Sequence, residues 1–427
     1  MRILFVSNYF PPAARGGYEQ WCEEVALTLA ARGHNMAVLT SSAGIKVAQG
    51  GLTADGEDPT YPVTVHRLLH GQVEGGLAQT TLRLLREPHR FEEENLAHTQ
   101  RVIDEFCPDA VMIWGMWNID RSVPQRIEAL MGSRVAFYFC DYWPTLPSAY
   151  VQRFQAPARH VPMQHVKSLM GRYFLPRLAQ ANPMPLRLEN PICVSRAVRD
   201  LLVARGAAVE HASIVYGGTT VEQFDTVRRP NGMSDPKGSE PLRLLYIGRL
   251  EPIKGVHTVV AAMQRLDSSV SLSILGAGDL DYTAALQATV AQAGMNDRVR
   301  FLGAAPRAEV PQVLAQHDVL LFPSEWDEPF ARSVLEAMAA GLAVVGTTTG
   351  GTGEILVEGE TGLTFPAGDA VQLASQIQRL VDDPGLRQRL AQSARQIVRQ
   401  YYTLGRMVDE LEAELQRVAN MPALISL

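Results

Sequence analysis

The sequence predicts an α/β protein of two doubly wound parallel-sheet halves facing each other across a deep cleft. Three observations carry this. Short runs of consecutive apolar residues alternate with segments whose apolar residues recur at helical spacing, the pattern of parallel strands covered by helices on both faces. The rhythm breaks at 226–241, TVRRPNGMSDPKGSEP, where Pro, Gly, Ser and charge replace apolar periodicity, and then restarts. A chain of 427 residues also exceeds what a single core usually organises.

The opening RILFV reads as a buried strand, followed by the glycine-containing loop SNYFPPAARGGYEQ. The segment EQWCEEVALTLAARG has helical spacing with Gly33 as its stop, and NMAVLTS is the next strand. Further strands are expected at DAVMIW (109–114), RVAFYFC (134–140), PICVS (191–195) and ASIVYGG (212–218). Beyond the break come LRLLYIG, SLSILG, RVRFLG, DVLLFPS and LAVVGT, separated by helices starting near 255, 281 and 308 and by EPFARSVLEAMAAG. The expected domains are 1–225, a linker at 226–241, and 242–404, with a terminal helix at 405–427 returning to the first domain. In such sheets ligands sit beyond the carboxyl ends of the strands, so the cleft is the expected site.

Composition narrows the class. Apolar residues make up 46% and charged residues 20%, and the net charge is −6, so no global basic field suggests nucleic acid as a partner. Cys22, Cys107, Cys140 and Cys193 lack CxxC spacing, which argues for a reducing compartment and against structural zinc. The start MRILFVSNYFPP is too short in apolar residues for a signal peptide, and no run of about 18 apolar residues occurs. The expected location is cytoplasmic, with room for contact at the inner membrane face.

The stretch EPFARSVLE, residues 328–336, holds two glutamates. DVLLFPS should end as a strand near Ser324, Pro329 suits a first helical turn, and Gly341 stops the helix. Glu328 then lies at the helix mouth and Glu336 about two turns in, roughly 12 Å apart along the axis. A glycosidase pair stands about 5–9.5 Å apart, so the two read better as separate acceptors for different hydroxyls of one long polar ligand. The helix N-terminus between them favours an anion such as phosphate. By spacing alone, a solvated helix face would explain the pair equally well.

The wider context changes that balance. PSEWDEPFARSVLEAMAAG resembles the Glu-x7-Glu signature of retaining glycosyltransferases of family four, which have the two-Rossmann GT-B fold. PPAARGGYEQ and LAARGHNMAVLT resemble that family's glycine loop and Arg-Gly-His segment. CVSRAVRDLL, IVYGGTTVEQF, YIGRLEPIKGVHTVV and GGTGEILVEGETGLTF resemble its later blocks, in order and through nearly the whole chain.

The resemblance implies roles residue by residue. Arg249 and Lys254 would clasp the nucleotide pyrophosphate, where fixed cations stabilise charge growing on the leaving diphosphate. Glu336 would hold ribose hydroxyls and Glu328 the donor sugar, with backbone N–H groups at Phe330 and Ala331 facing sugar and phosphate. The usual residue at 331 is Gly, and Ala fits if φ there is negative. Gly16 and Gly17 would let backbone approach the diphosphate or acceptor.

One departure stands out. RVAFYFCDYWPTLP resembles a stretch usually written His-Asp-Tyr-Trp, and Cys140 occupies the histidine position. A thiol exchanges a proton near neutral pH poorly compared with imidazole. Either Asp141 takes over acceptor activation, or the leaving phosphate itself takes the acceptor proton on the same face, which gives retention; the second is the favoured reading, with Asp141 orienting the acceptor. Tyr142, Trp143 and Trp117 could stack on a sugar or simply pack in a core.

Two further features have plain readings. Asp279-x-Asp281 looks like a metal-binding pair but is placed to cap a helix, so no metal and no cofactor beyond the donor are expected. Residues 142–188 contain no Asp or Glu but carry Arg153, Arg159, Lys167, Arg172, Arg177 and Arg187 among apolar residues. A helical insertion beside the acceptor is the plainer reading. A basic amphipathic face at 150–187 for an anionic lipid acceptor or membrane is the other.

The expected activity is therefore retaining, metal-independent transfer of a hexosyl-type sugar. The donor would be a UDP or GDP sugar and the acceptor a saccharide, lipid-linked glycan or small molecule bearing a hydroxyl. A non-hydrolysing sugar-nucleotide epimerase and a non-catalytic sugar-nucleotide-binding protein are the alternatives. A nicotinamide dehydrogenase fits least, because the first loop lacks GxGxxG.

Overall fold

The computed structural model describes residues 1–13, 16–42, 61–73, 75–86, 89–156, 161–180, 185–225, 227 and 241–421. The expected linker therefore lies almost wholly outside the described residues. Two compact units emerge: Met1–Val215 with Val408–Leu427, and Tyr216–Met407.

The first unit holds a seven-stranded parallel sheet of β1 (Arg2–Ser7), β2 (Asn35–Ser41), β3 (Thr64–Leu69), β4 (Ala110–Ile113), β5 (Val135–Phe139), β6 (Pro191–Cys193) and β7 (Ser213–Ile214). Its order is β3-β2-β1-β4-β5-β6-β7, so the topology reverses between β1 and β4. β1, β4 and β5 are buried almost throughout, which is why they read as unbroken apolar runs.

β3 escaped the sequence reading because it lies at the sheet edge and alternates exposed with buried residues. Its Arg67 is buried and donates to the carbonyls of Phe10 and Pro11, tying the first loop to the edge strand. The expected strand 212–218 shrinks to Ser213–Ile214.

The second unit has a six-stranded parallel sheet of β8 (Leu242–Ile247), β9 (Val270–Leu275), β10 (Val299–Gly303), β11 (Val319–Phe322), β12 (Ala343–Gly346) and β13 (Leu363–Thr364). The order β10-β9-β8-β11-β12-β13 reverses between β8 and β11. Its core runs from Leu244, Leu272 and Val319 on the sheet to Val259, Met263 and Ile377 on the covering helices. Both sheets thus have the doubly wound plan, and the fold is two Rossmann-like units.

The boundary between units falls at 215/216, ten residues before the expected end of the first domain. Thr219 bridges Thr403, its N–H donating to the Tyr402 carbonyl at 2.9 Å while Leu404 N–H donates back at 3.0 Å. Tyr216 packs on Phe330 and Tyr402, which draws 216–225 into the second unit. The last helix, Leu404–Ala419, gives its residues from Val408 onward to the first unit. There Asp409 and Glu412 accept from Arg32 at 2.7 and 2.5 Å, and Glu414 accepts from Ser213 at 2.7 Å.

Candidate active site

In the second unit the reversal point lies between the carboxyl ends of β8 and β11, and the chain puts its charged loops there. β8 runs into Gly248 and Arg249, then the short turn Pro252–Lys254. β11 runs into Ser324–Ala331. The two loops lock together. Lys254 Nζ pairs with Glu328 Oε1, and the side chains are only 15% and 11% exposed. Ser324 Oγ donates to the same oxygen at 2.8 Å. The ammonium also stands 5.5 Å from the Trp326 ring centre, a cation–π contact.

Glycines make this closeness feasible. Gly255 has φ +68°, and a Cβ there would lie 2.0 Å from the Pro323 carbonyl oxygen. Gly350, at φ +56°, lies against the Glu328 backbone, and Gly351 N–H donates to the Glu328 carbonyl at 2.7 Å. The late Gly-Gly block thus braces the glutamate loop from behind.

Arg249 is more open, with its side chain 46% exposed and NH1 2.6 Å from Glu251 Oε1. A second brace holds the Lys254 loop from its far side. Glu325 accepts from Thr258 Oγ1 at 3.0 Å and faces His257 Nε2 at 3.1 Å.

The glutamate helix begins later than expected. It spans Arg332–Ala339, so Pro329 sits in the loop and not in the first turn. Glu328 is a loop residue fixed by side-chain and backbone partners, not by helix geometry. Ala331 is the helix N-cap with φ −81°, a conformation alanine adopts without strain.

Glu336 is buried and accepts from Arg307 NH1 at 2.8 Å, from Arg307 NH2, and from Arg332 Nε at 2.8 Å. Burial alone would push its carboxyl up, but the two guanidiniums outweigh it and hold the group below the usual range. A carboxylate offers about four lone-pair sites. With three taken, Oε2 keeps one for a further donor.

Arg307, Arg332, Ser324 and Trp326 were not foreseen as site residues. Glu-x7-Glu names the acids but carries no sign of the cations that fix them. An arginine four residues before Glu336 was the available signal for Arg332. The Asp279-x-Asp281 pair resolves simply. Asp279 caps the helix Leu280–Gln292 by accepting from Tyr282 N–H at 2.9 Å.

The first unit gathers its polar residues at the matching place, beyond β1, β4 and β5. Gly16 N–H donates to Glu19 Oε2 at 2.9 Å, and Glu19 is fully buried. Gly16 is extended, and Gly17 opens the helix Gly17–Ala31. Tyr18 OH donates to Asn8 Oδ1 at 2.6 Å. A Cβ at Gly115 would stand 2.6 Å from the Tyr18 ring, so a glycine stands where the ring needs room.

Asp141 follows β5 and accepts from Trp143 N–H at 3.1 Å. Burial first, and Glu19 nearby, raise its carboxyl to about 7 against that hydrogen bond. Cys140 is buried, and burial pushes its thiol well above the ordinary range, so it is a neutral packing group. Tyr142 and Trp143 are core residues: Arg205 lies 5.1 Å from the Tyr142 ring centre, and Trp143 packs 6.0 Å from Phe139. Their stacking role gives way to packing, while Trp117 remains partly exposed. Glu19, Tyr18 and Asn8 were missed because none belongs to a charged motif.

Residues 233–397 match the family model for glycosyl transferases group 1. The chain is 27% identical over 408 residues to glycogen synthase of Mycobacterium tuberculosis, covering 93% of this chain and 90% of that protein. The chain is a glycosyltransferase. Its fold is similar to that of sucrose-phosphate synthase from Thermosynechococcus elongatus, with TM-score 0.71 and 20% identity over 97% of this chain and 98% of that one. It is also similar to Anabaena HepE in complex with UDP, with TM-score 0.65 and 20% identity over 98% of this chain and 100% of that one. This glycosyltransferase therefore has the GT-B fold, and its charged loops occupy the strand ends of the domain that the family model covers.

Proposed function

We propose that the protein is a retaining glycosyltransferase that moves a hexosyl-type sugar from a UDP or GDP sugar to a hydroxyl acceptor. The observation that carries this reading is the Lys254–Glu328 pair at the reversal point of the second sheet, beside Arg249. Lys254 and Arg249 neutralise the diphosphate as the anomeric carbon–oxygen bond breaks. Glu328 accepts from hydroxyls of the donor sugar, and the remaining lone pair of Glu336 Oε2 accepts from a ribose hydroxyl. The first-turn N–H groups of the helix Arg332–Ala339 face the phosphate.

The acceptor oxygen forms its bond to the anomeric carbon on the face the diphosphate leaves. Its proton passes to the departing phosphate oxygen. Asp141 orients the acceptor, and Cys140, a neutral buried thiol, takes no proton. The two cations replace a metal ion, so activity persists in chelator. HepE structures solved with UDP and UDP-glucose support a uridine donor as the first to try.

The test is a thermal-shift panel of nucleotide sugars, followed by product analysis with the donor that binds. A donor at about 100 times its dissociation constant adds roughly 2.7 kcal/mol of stability. An α-linked product from an α-donor, formed in chelator, supports the reading. An epimerised nucleotide sugar formed without acceptor, or binding without turnover on any acceptor, overturns it.

A further inference from the structure

Outside the site, one region exposes more apolar surface than a solvated domain requires. The helices Leu77–Arg86, Ala149–Gln155 and Val161–Gln180 build a small core of their own around Leu84, Phe154 and Phe174. With that core filled, large apolar side chains still stand on the outer faces among exposed polar and basic ones. On Val161–Gln180, Val166 is 51% exposed, Leu169 70% and Tyr173 49%, and their i, i+3, i+7 spacing sets them in one stripe. On Leu77–Arg86, Leu82 and Leu85 are 49% and 57% exposed.

These five are nearly half of the large exposed apolar side chains among the described residues, on two of its helices. No helix among the described residues is long and apolar enough to cross a membrane.

Charge identifies the occupant. The segment 142–188 has no acidic residue, nor has Leu77–Arg86, in a chain of net charge −6. The structure divides the cations. Lys167 is buried and donates to the Ala156 carbonyl, Arg153 donates to Gly75 at 3.0 Å, and Arg83 donates to Gly71 and Tyr150. Those three brace the helices. Arg172 and Arg86 are exposed beside the apolar stripes.

We propose that this three-helix face is a docking surface for an anionic lipid bilayer, seated by the apolar stripe of Val166, Leu169 and Tyr173 and steered by Arg172 and Arg86. A protein partner matched to an apolar stripe would not need the exclusion of acids from both helices, whereas a sheet of lipid phosphates would. Because the inward cations are spent on internal carbonyls, attachment rests more on the apolar stripe than on charge.

Sedimentation of the full chain with phosphatidylglycerol–phosphatidylcholine vesicles and with pure phosphatidylcholine vesicles tests this. Binding to the anionic vesicles, at least tenfold weaker on the neutral ones, is expected. The triple variant V166Q/L169Q/Y173Q should lose at least tenfold, with circular dichroism unchanged because all three side chains face outward. R86Q/R172Q should lose less, and the remaining binding should be less salt-sensitive. Failure of the wild type to bind anionic vesicles overturns the proposal, as does triple-variant binding equal to wild type. A wild-type dimer in sedimentation velocity that the triple variant makes monomeric, with no vesicle binding, would assign the face to a second copy and equally overturn it.

Discussion

Replacing Lys254 with methionine tests the reading of the second-unit site most directly, because its two consequences separate. Lys254 and Glu328 are 15% and 11% exposed, so the pair lies between an exposed ion pair, worth about 0–1 kcal/mol, and a buried one, whose disruption costs about 3–5 kcal/mol. Ser324 Oγ, 2.8 Å from Glu328 Oε1, still satisfies part of the stranded carboxylate. We expect a stability loss of about 2 kcal/mol. For a unit the size of Tyr216–Met407 this lowers the melting transition by about 4–8 °C.

Catalysis should suffer by a different amount. Removing a fixed charge from a developing oxyanion costs about 10²–10³ in kcat, or about 2.7–4 kcal/mol. The double variant K254M/E328Q removes the stranded carboxylate and should recover most of the lost melting temperature, but none of the rate. Calorimetry and initial rates with the selected donor read the two effects independently. If K254M keeps its kcat/KM, or the double variant regains rate along with stability, Lys254 is a brace and the leaving-group role is refuted.

Three other expectations follow from the same geometry. Asp141, with its carboxyl raised to about 7 by burial, stays protonated in the native state where the unfolded chain is already ionised. Stability should therefore fall as pH rises from about 4 to 7, by up to about 4 kcal/mol, and Asp141→Asn should flatten that fall in urea midpoints measured across pH. Arg332→Met strips a buried partner from Glu336, whose folded carboxyl lies below its usual range. It should cost about 3–5 kcal/mol near pH 7, and the gap to wild type should close in acid, as pH falls through the folded value and Glu336 is protonated. Gly255→Ala forces alanine into φ +68° with its Cβ 2.0 Å from a carbonyl oxygen. It should cost at least about 1–3 kcal/mol in denaturant melts and weaken donor binding by displacing Lys254.

The fold was legible because central parallel strands are buried on both faces and cannot hide their apolar runs. β3 was not, because an edge strand needs burial on one side only and Arg67 interrupts its pattern with a charge satisfied by distant carbonyls. Glu328, Glu336, Arg249 and Lys254 were readable as candidates through their motifs, and the structure brings Lys254 and Glu328 together. The helix start was not, because Pro329 suits a loop as well as a first turn, and the chain delays the helix to let Glu328 reach Lys254. Arg307 was beyond local reading, since it reaches Glu336 from 29 residues earlier through the third dimension. The basic stretch misled in another way. Sequence counts every cation as surface, whereas Lys167 and Arg153 are spent on backbone carbonyls.

Position on the strand separates function from scaffolding where charge alone does not. Asp318 is fully buried and accepts from Arg243 Nε and NH2 at 3.0 and 2.9 Å, a two-point clasp more buried than the Arg249–Glu251 contact. Its carboxyl lies below the usual range because Arg243 overcomes the effect of burial. Judged by burial and pairing, Asp318 and Arg243 would be the stronger candidates for chemistry. Yet Asp318 immediately precedes β11 and Arg243 lies at the start of β8, the amino ends of the same two strands whose carboxyl ends carry Glu328 and Lys254. Loops at the amino ends close the bottom of a doubly wound sheet, and ligands enter at the opposite end, where strand order reverses. The Arg243–Asp318 clasp pairs both acid oxygens with one guanidinium, and Asp318 Oδ2 accepts the Arg243 backbone N–H as well. The Lys254–Glu328 pair shares one acid oxygen between an ammonium and a hydroxyl, beside the half-exposed Arg249. A pair at the closed end is out of a ligand's reach and can only stabilise, whereas a pair at the open end can exchange a partner for a substrate.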